Sequence, residues 1–177
     1  MGKLSAGNDK LVDTETLGFH QINCKGVKNM SRKIMPTTYL LIALILILLL
    51  HFVYPIASIL TGLWNLVGLI PLLLGIILNL LADQALKQHN TTVKPFRESN
   101  ALIVDGVYGI TRHPMYLGFV LILIGVSLLL GTLSPYVVVI IFAVFVEFVF
   151  IRQEEEMLED SFQEKWVQYK SKVRKWI

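Results

Sequence analysis

Arg112 and His113 stand immediately before Pro114 and a long apolar run, and Glu154, Glu155 and Glu156 stand just after another. A guanidinium, an imidazole and three carboxylates are the parts of a site that binds charged small molecules or moves protons. Pro114 suits the first turn of a helix, because its missing N–H would be unpaired there anyway. Arg112 and His113 then sit at the mouth of that helix, with Tyr116 one turn inside. Gly106 and Gly109, a few residues upstream, allow a backbone to approach something closely. Glu147 lies inside the second run, seven residues before Glu154. On a regular α-helix the two share a face, about 10 Å apart along the axis. A carboxylate inside an apolar helix is costly unless paired or functional, and Arg112 is its expected partner.

Plainer readings compete with this one. Charged residues at helix ends are often ordinary interfacial groups, and Glu156 and Glu159 read equally well as solvated charges. No His or Cys spacing marks a metal site, and the single Cys24 forms no intramolecular disulfide. No serine occupies a turn suited to a Ser-His-Asp arrangement.

The elements that must position these residues belong in a bilayer. The chain has 177 residues, of which 54% are hydrophobic and 16% charged, against about 25% charged in ordinary soluble domains. Between Lys33 and Lys87 the one formal charge is Asp83, and between Arg112 and Arg152 it is Glu147. Such stretches imply an all-α bundle of four transmembrane helices at about residues 39–60, 63–81, 114–131 and 135–151. The first, 22 residues long, would extend about 33 Å, enough for a hydrocarbon core of about 30 Å. Gly68 and Gly75 recur at seven residues, as do Gly118 and Gly125, and small residues on one face let helices approach. Pro71 is expected to kink the second span, and His51, far from the other polar groups, to serve packing. After Ile151, Leu158, Phe162, Trp166, Tyr169 and Val173 share one helical face, so an amphipathic helix either lies on the membrane or closes over the bundle.

Residues 1–36 are polar and aperiodic, lack a secretory signal and read as a disordered tail without function. Residues 37–177 form one domain. The tail (Lys25, Lys28, Arg32, Lys33), the 82–113 loop and the C-terminal segment are basic, while the turns at 61–62 and 131–134 carry no charge. Both termini and the long loop are therefore expected in the cytosol. The net charge of +3 is explained by anionic lipid beside the spans and not by nucleic acid.

From about Ala82 onward the chain resembles the superfamily of isoprenylcysteine carboxyl methyltransferases and phospholipid methyltransferases. The residues that carry the resemblance are Leu102-Ile-Val-x-x-Gly106-x-Tyr108, Arg112-His-Pro-x-Tyr116-x-Gly118, Glu154-Glu-Glu-x-Leu158, Phe162, Tyr169 and Val173-Arg-Lys-Trp-Ile177. Residues 89–96 are similar to bacterial members, which points to a bacterial or archaeal cell membrane. Gln163 departs from the pattern, since many members carry glycine there. The resemblance implies S-adenosylmethionine as methyl donor. His113, Tyr116 and Glu155, or its neighbour Glu154, would hold it, with backbone contacts from Leu102, Val104, Gly106 and Tyr108. Arg112 and Arg152 would face carboxylates or phosphates, and with Glu147 they complete the expected catalytic set. Methyl transfer from a sulfonium needs positioning and exclusion of water more than acid-base help. The acceptor would be a lipophilic molecule arriving from the membrane, in the first place a prenylated cysteine carboxylate. No metal and no protein partner is expected. The alternatives are a lipid amine with Glu147 as base, a sterol-reductase-like enzyme using NADPH, and a non-catalytic membrane protein.

Overall fold

A computed structural model describes residues 35–58, 62–88 and 102–176. The N-terminal tail to residue 34, the loop at 89–101 with Lys94 and Arg97, and Ile177 lie outside the described residues.

Proline opens three of the helices. α1 (Pro36–Val53), α3 (Pro114–Leu130) and α4 (Pro135–Val146) each begin on one, where the fixed φ is already helical and no hydrogen bond is lost. α1 ends at Val53, earlier than the sequence pattern predicts, and residues 54–58 leave the helix. The second apolar stretch starts as a 3₁₀ segment (Gly62–Gly68) and continues as α2 (Leu69–Gln88). Pro71 therefore falls in the first turn of α2, where it needs no kink, and the helix runs seven residues beyond its expected end at 81. α3 stops at Gly131, whose φ of 70° is the left-handed conformation that caps a helix and that glycine adopts without strain. α4 passes through a π-helical turn (Glu147–Ile151) into α5 (Arg152–Lys172) without a break.

Length and composition allow three helical units to cross a membrane: Pro36–Val53, Gly62–Gln88 and the continuous Pro135–Lys172. α3 is the fourth apolar helix and has 17 residues, the short end of a spanning helix. Leu41, Ile45, Leu48 and Phe52 of α1 and Leu73, Ile77 and Leu80 of α2 are exposed, as lipid-facing positions must be. The chain is an integral membrane protein.

Glycine spacing sets the packing of α2 on α3. A Cβ at Gly75 would stand 2.6 Å from the Gly118 carbonyl oxygen, and one at Gly68 would stand 2.5 Å from that of Gly125. The two seven-residue pairs thus face each other in antiparallel order, and any side chain at either contact would push the backbones apart. On the other side of α3 a core joins α1 and α4 through Ile47, Leu123, Phe142, Val146 and Phe150. Tyr39, Phe145 and Phe150 stack edge to face within it. At the end of the bundle remote from Arg112, His51 Nδ1 lies 2.9 Å from Thr132 Oγ1. Ser58 pairs with Thr132 in a single antiparallel bridge.

Candidate functional site

The entry to α3 and the exit of α4 meet at one end of the bundle. Arg112 Nη1 lies 2.9 Å from Glu155 Oε1, and the side chains are 8% and 11% exposed. His113 Nε2 stands 3.4 Å from the same oxygen. Its Nδ1 is 3.8 Å from Glu154 Oε2, too far for a hydrogen bond. The Arg112 guanidinium also sits 5.7 Å from the centre of the buried Trp166 ring, within the range of a cation–π contact. Tyr116 packs against both His113 and Phe150, joining the polar cluster to the core.

Two relationships differ from the sequence expectation, the first through the return of the C-terminal segment and the second through a change of helical period. Glu147 pairs with Lys175 at 2.8 Å, not with Arg112. Glu155, not Glu154, shares that lysine, with its Oε2 3.2 Å from Nζ. Seven residues bring two side chains to one face of an α-helix, but a π turn closes i→i+5 and so takes about one more residue. With the π turn at Glu147–Ile151, the residue two turns after Glu147 is Glu155.

Arg152 is not part of this cluster. It is exposed, with its guanidinium 4.1 Å from the centre of the Phe148 ring on the outer side. Glu156 is exposed too, and Glu159 pairs with Lys170 at 3.5 Å near the surface.

The loop 102–109 reaches the site through Tyr108. Gly106 takes φ 59° and opens a 3₁₀ turn (Gly106–Gly109), a backbone sign that favours glycine. Ile103 is buried, Val104 is exposed, and Leu102 is intermediate. The Tyr108 carbonyl accepts a hydrogen bond from Tyr169 Oη at 2.6 Å. Burial raises the Tyr108 phenol well above the usual tyrosine range, reinforced by the charge of Glu154. Burial likewise pushes Tyr169 up to about 12, with Arg112 pulling the other way.

The amphipathic helix closes over the bundle, since Trp166 and Tyr169 are buried against it. It is broken at Gln163, whose φ of 43° and ψ of −111° are not helical. Beyond α5 the chain turns extended at Val173 and doubles back on the start of α3. The Arg112 N–H donates to the Arg174 carbonyl at 3.1 Å, and Thr111 Oγ1 donates to the Lys175 carbonyl at 2.9 Å. Lys175 was not among the expected site residues; its one signal was its place in the closing Val-Arg-Lys-Trp motif.

Electrostatics follow from this geometry. Burial alone would raise the Glu155 carboxyl, but the His113 hydrogen bond, the Arg112 charge and Lys175 outweigh it and bring it down to about 2. Burial alone would lower the Lys175 ammonium; its bonds to Glu147 and Glu155 raise it instead. Glu147 Oε2, Glu154 Oε2, Arg112 Nε and Trp166 Nε1 are buried without a hydrogen-bond partner. Unpaired buried acceptors beside unpaired buried donors are costly in isolation, and together they match a ligand that bears both signs. Among the described residues no group of three or more His, Cys, Asp or Glu could hold a metal ion.

These features define a membrane-embedded helical bundle with a closed polar site at one end. A family model for phospholipid methyltransferases matches residues 63–165, more than half of the sequence, and the chain belongs to that family. It is 43% identical over 84 residues to the protein-S-isoprenylcysteine O-methyltransferase of Saccharomyces cerevisiae, covering 46% of this chain and 34% of the yeast protein. An uncharacterized protein of Haemophilus influenzae is 40% identical over 63 residues, 36% of this chain and all of that one. The fold is similar to that of the eukaryotic intramembrane Ras methyltransferase (isoprenylcysteine carboxyl methyltransferase), with a TM-score of 0.60 and 23% identity, covering 80% of this chain and 51% of that one. The chain thus spans about a third of the yeast protein's length and half of the solved structure's.

Proposed function

We propose that this chain is an S-adenosylmethionine-dependent methyltransferase acting on a lipophilic acceptor, with the carboxyl of an isoprenylcysteine-type group as its first substrate. The observation that carries the reading is the closed cluster of Arg112, His113, Glu154 and Glu155, where Glu154 Oε2, Arg112 Nε and the neighbouring Trp166 Nε1 are buried without a hydrogen-bond partner. The methionine part of the cofactor is a zwitterion. Its ammonium suits Glu154 and Glu155, and its carboxylate suits Arg112. When bound, the cofactor supplies a methyl group on a positively charged sulfur, open to attack by an anionic oxygen.

The protein's share is positioning and dryness. Arg112 is held by Glu155 and by the Trp166 face, so it arrives oriented and loses little freedom when it takes up a carboxylate. Trp166, Tyr169 and Tyr116 exclude water around it. The site's placement at a helix end lets a soluble cofactor arrive from the aqueous side and a greasy acceptor from lipid. By the charge pattern of the sequence, that aqueous side is the cytosol. Arg152, which stands outside the cluster beside Phe148, would meet an anionic headgroup at the membrane surface.

N-methylation of a lipid amine is the second reading, and one observation favours it. Glu147 keeps a buried oxygen without a partner, which is what a base for an ammonium requires. Calorimetry on detergent-purified protein is expected to show micromolar binding of S-adenosylmethionine and its demethylated product and no binding of NADPH. Tritiated methyl transfer to a farnesylated cysteine analogue, and not to phosphatidylethanolamine, is then expected. Activity on the amine alone, lost in Glu147→Gln, would favour the second reading, and NADPH binding would replace both with a reductase.

A further inference from the structure

Glu155 has no oxygen to spare. Its Oε1 is shared by Arg112 at 2.9 Å and His113 at 3.4 Å, and its Oε2 is held by Lys175 at 3.2 Å. A ligand's cation can reach this carboxylate if one of the three gives way. Arg112 is 8% exposed, stacked on Trp166 and bonded through its own amide to Arg174. The His113 side chain is 3% exposed. Lys175 is the outlier at 28%, a point charge on a flexible stem.

Lys175 also rides on the segment that can move. Val173 to Trp176 leave the helix, and the tail is fastened to the start of α3 by the two hydrogen bonds at Arg112 and Thr111. The helix that carries it is interrupted at Gln163, where a residue with a Cβ adopts a backbone conformation suited to glycine. A strained joint on one side and a short non-helical strap on the other bracket residues 164–172.

We propose that Lys175 is an exchangeable counter-ion: its ammonium holds the seat between Glu147 and Glu155 and yields it, together with the C-terminal strap, to a cationic ligand. Two neighbouring carboxylates in a poorly solvated site repel each other unless a cation lies between them. Lys175 supplies that cation, and another one can replace it at little cost in charge balance. Resting on the methyl-donor reading above, the proposal adds how the donor gains access: its ammonium competes with Lys175 for Glu155, and the strap opens as the competition is won.

The test uses the full chain in detergent and S-adenosylmethionine as probe. In the unaltered protein, hydrogen exchange at the amides of Arg112 and residues 173–176 is expected to speed up severalfold when the probe is added. Lys175→Met is expected to bind the probe about tenfold more tightly by calorimetry, because the internal competitor is gone. Should that variant fold poorly through the loss of its counter-charge, the exchange measurement on the unaltered chain decides alone. Probe that binds while the strap becomes better protected, or binds more weakly to Lys175→Met, would overturn the exchange and leave the donor reading intact. Binding by Lys175→Met but not by the unaltered chain would support the exchange most directly. Failure of both to bind would sink the donor reading and this proposal with it.

Discussion

Arg112 and Glu155 form a buried ion pair, 2.9 Å between Nη1 and Oε1, joining the residue two before α3 to the first turn of α5. Their position at helix ends suggests tolerance to substitution; their burial says otherwise. Removing Arg112 takes from Glu155 its most buried counter-charge and leaves Lys175 and His113 to compensate, so the loss falls below the ~3–5 kcal/mol of a fully stranded buried charge. Arg112→Ala is therefore expected to lower the melting temperature in detergent markedly as well as abolish cofactor binding. The double change Arg112→Met with Glu155→Leu should recover most of the stability and none of the binding. Equal stability for Arg112→Ala and the unaltered protein would show the pair to be less buried than described.

Acid should loosen the same end of the bundle. The Glu155 carboxyl stands at about 2 in the folded chain against an ordinary value of 4.5, so its stabilisation is fully present above the ordinary value. That contribution, on the order of 3 kcal/mol, is lost as pH falls from about 4.5 toward 2. Thermal melts across that window are expected to fall more steeply for the unaltered chain than for Glu155→Gln, which starts lower and changes less.

Gly75→Ala should separate α2 from α3. The added Cβ would meet the Gly118 carbonyl oxygen at 2.6 Å and the backbone nitrogen of Ile122 at 2.9 Å, neither of which can rotate away. Overpacking of this kind costs about 1–3 kcal/mol. A chain that melted unchanged would mean that the two helices slide apart freely.

Gln163→Gly is expected to stabilise the protein by about 1 kcal/mol, since φ 43° with ψ −111° is a conformation open mainly to glycine. A regular helix at this position would make the same change destabilising, so the sign of the shift in melting temperature reads the kink directly.

Orientation can be read by labelling. With Cys24 replaced by serine, a cysteine at Leu133, which is exposed in the turn between α3 and α4, should react with an impermeant reagent on intact cells. One at Thr91 should not. Labelling at 91 alone would invert the topology.

Much of this architecture was legible before any coordinates. Apolar runs, the helix-opening Pro114 and the paired glycines are local or periodic signals, and each acts where it is written. Arg112, His113, Glu147 and Glu155 were singled out the same way, as polar groups too expensive to leave unexplained beside lipid, and the structure brings them to one end of the bundle. What escaped depends on distance through space or on a change of period. Nothing local shows that Lys175, 28 residues beyond Glu147, turns back to reach it. Which of Glu154 and Glu155 shares Lys175 with Glu147 hung on a π turn made of Glu-Phe-Val-Phe-Ile, a run that counts as ordinary helix by composition. Arg152 was drawn toward the site by its neighbours in sequence, whereas on a helix the adjacent residue points about 100° away.

That same π turn lets the helix obey two registers between Pro135 and its break at Gln163. Before it, Val138, Val139, Phe142 and Val146 are counted against the hydrophobic core; after it, and before the kink at Gln163, Glu155 is counted against the polar end. The wide turn acts as a phase shift between a half addressed to the bundle and a half addressed to the site. Each can change its pattern without forcing the other to follow. Deleting one residue there would restore a regular ladder and cost the bundle little, yet turn every later side chain by about 100° about the axis. The membrane half would still be built, and the chemistry would face the wrong way.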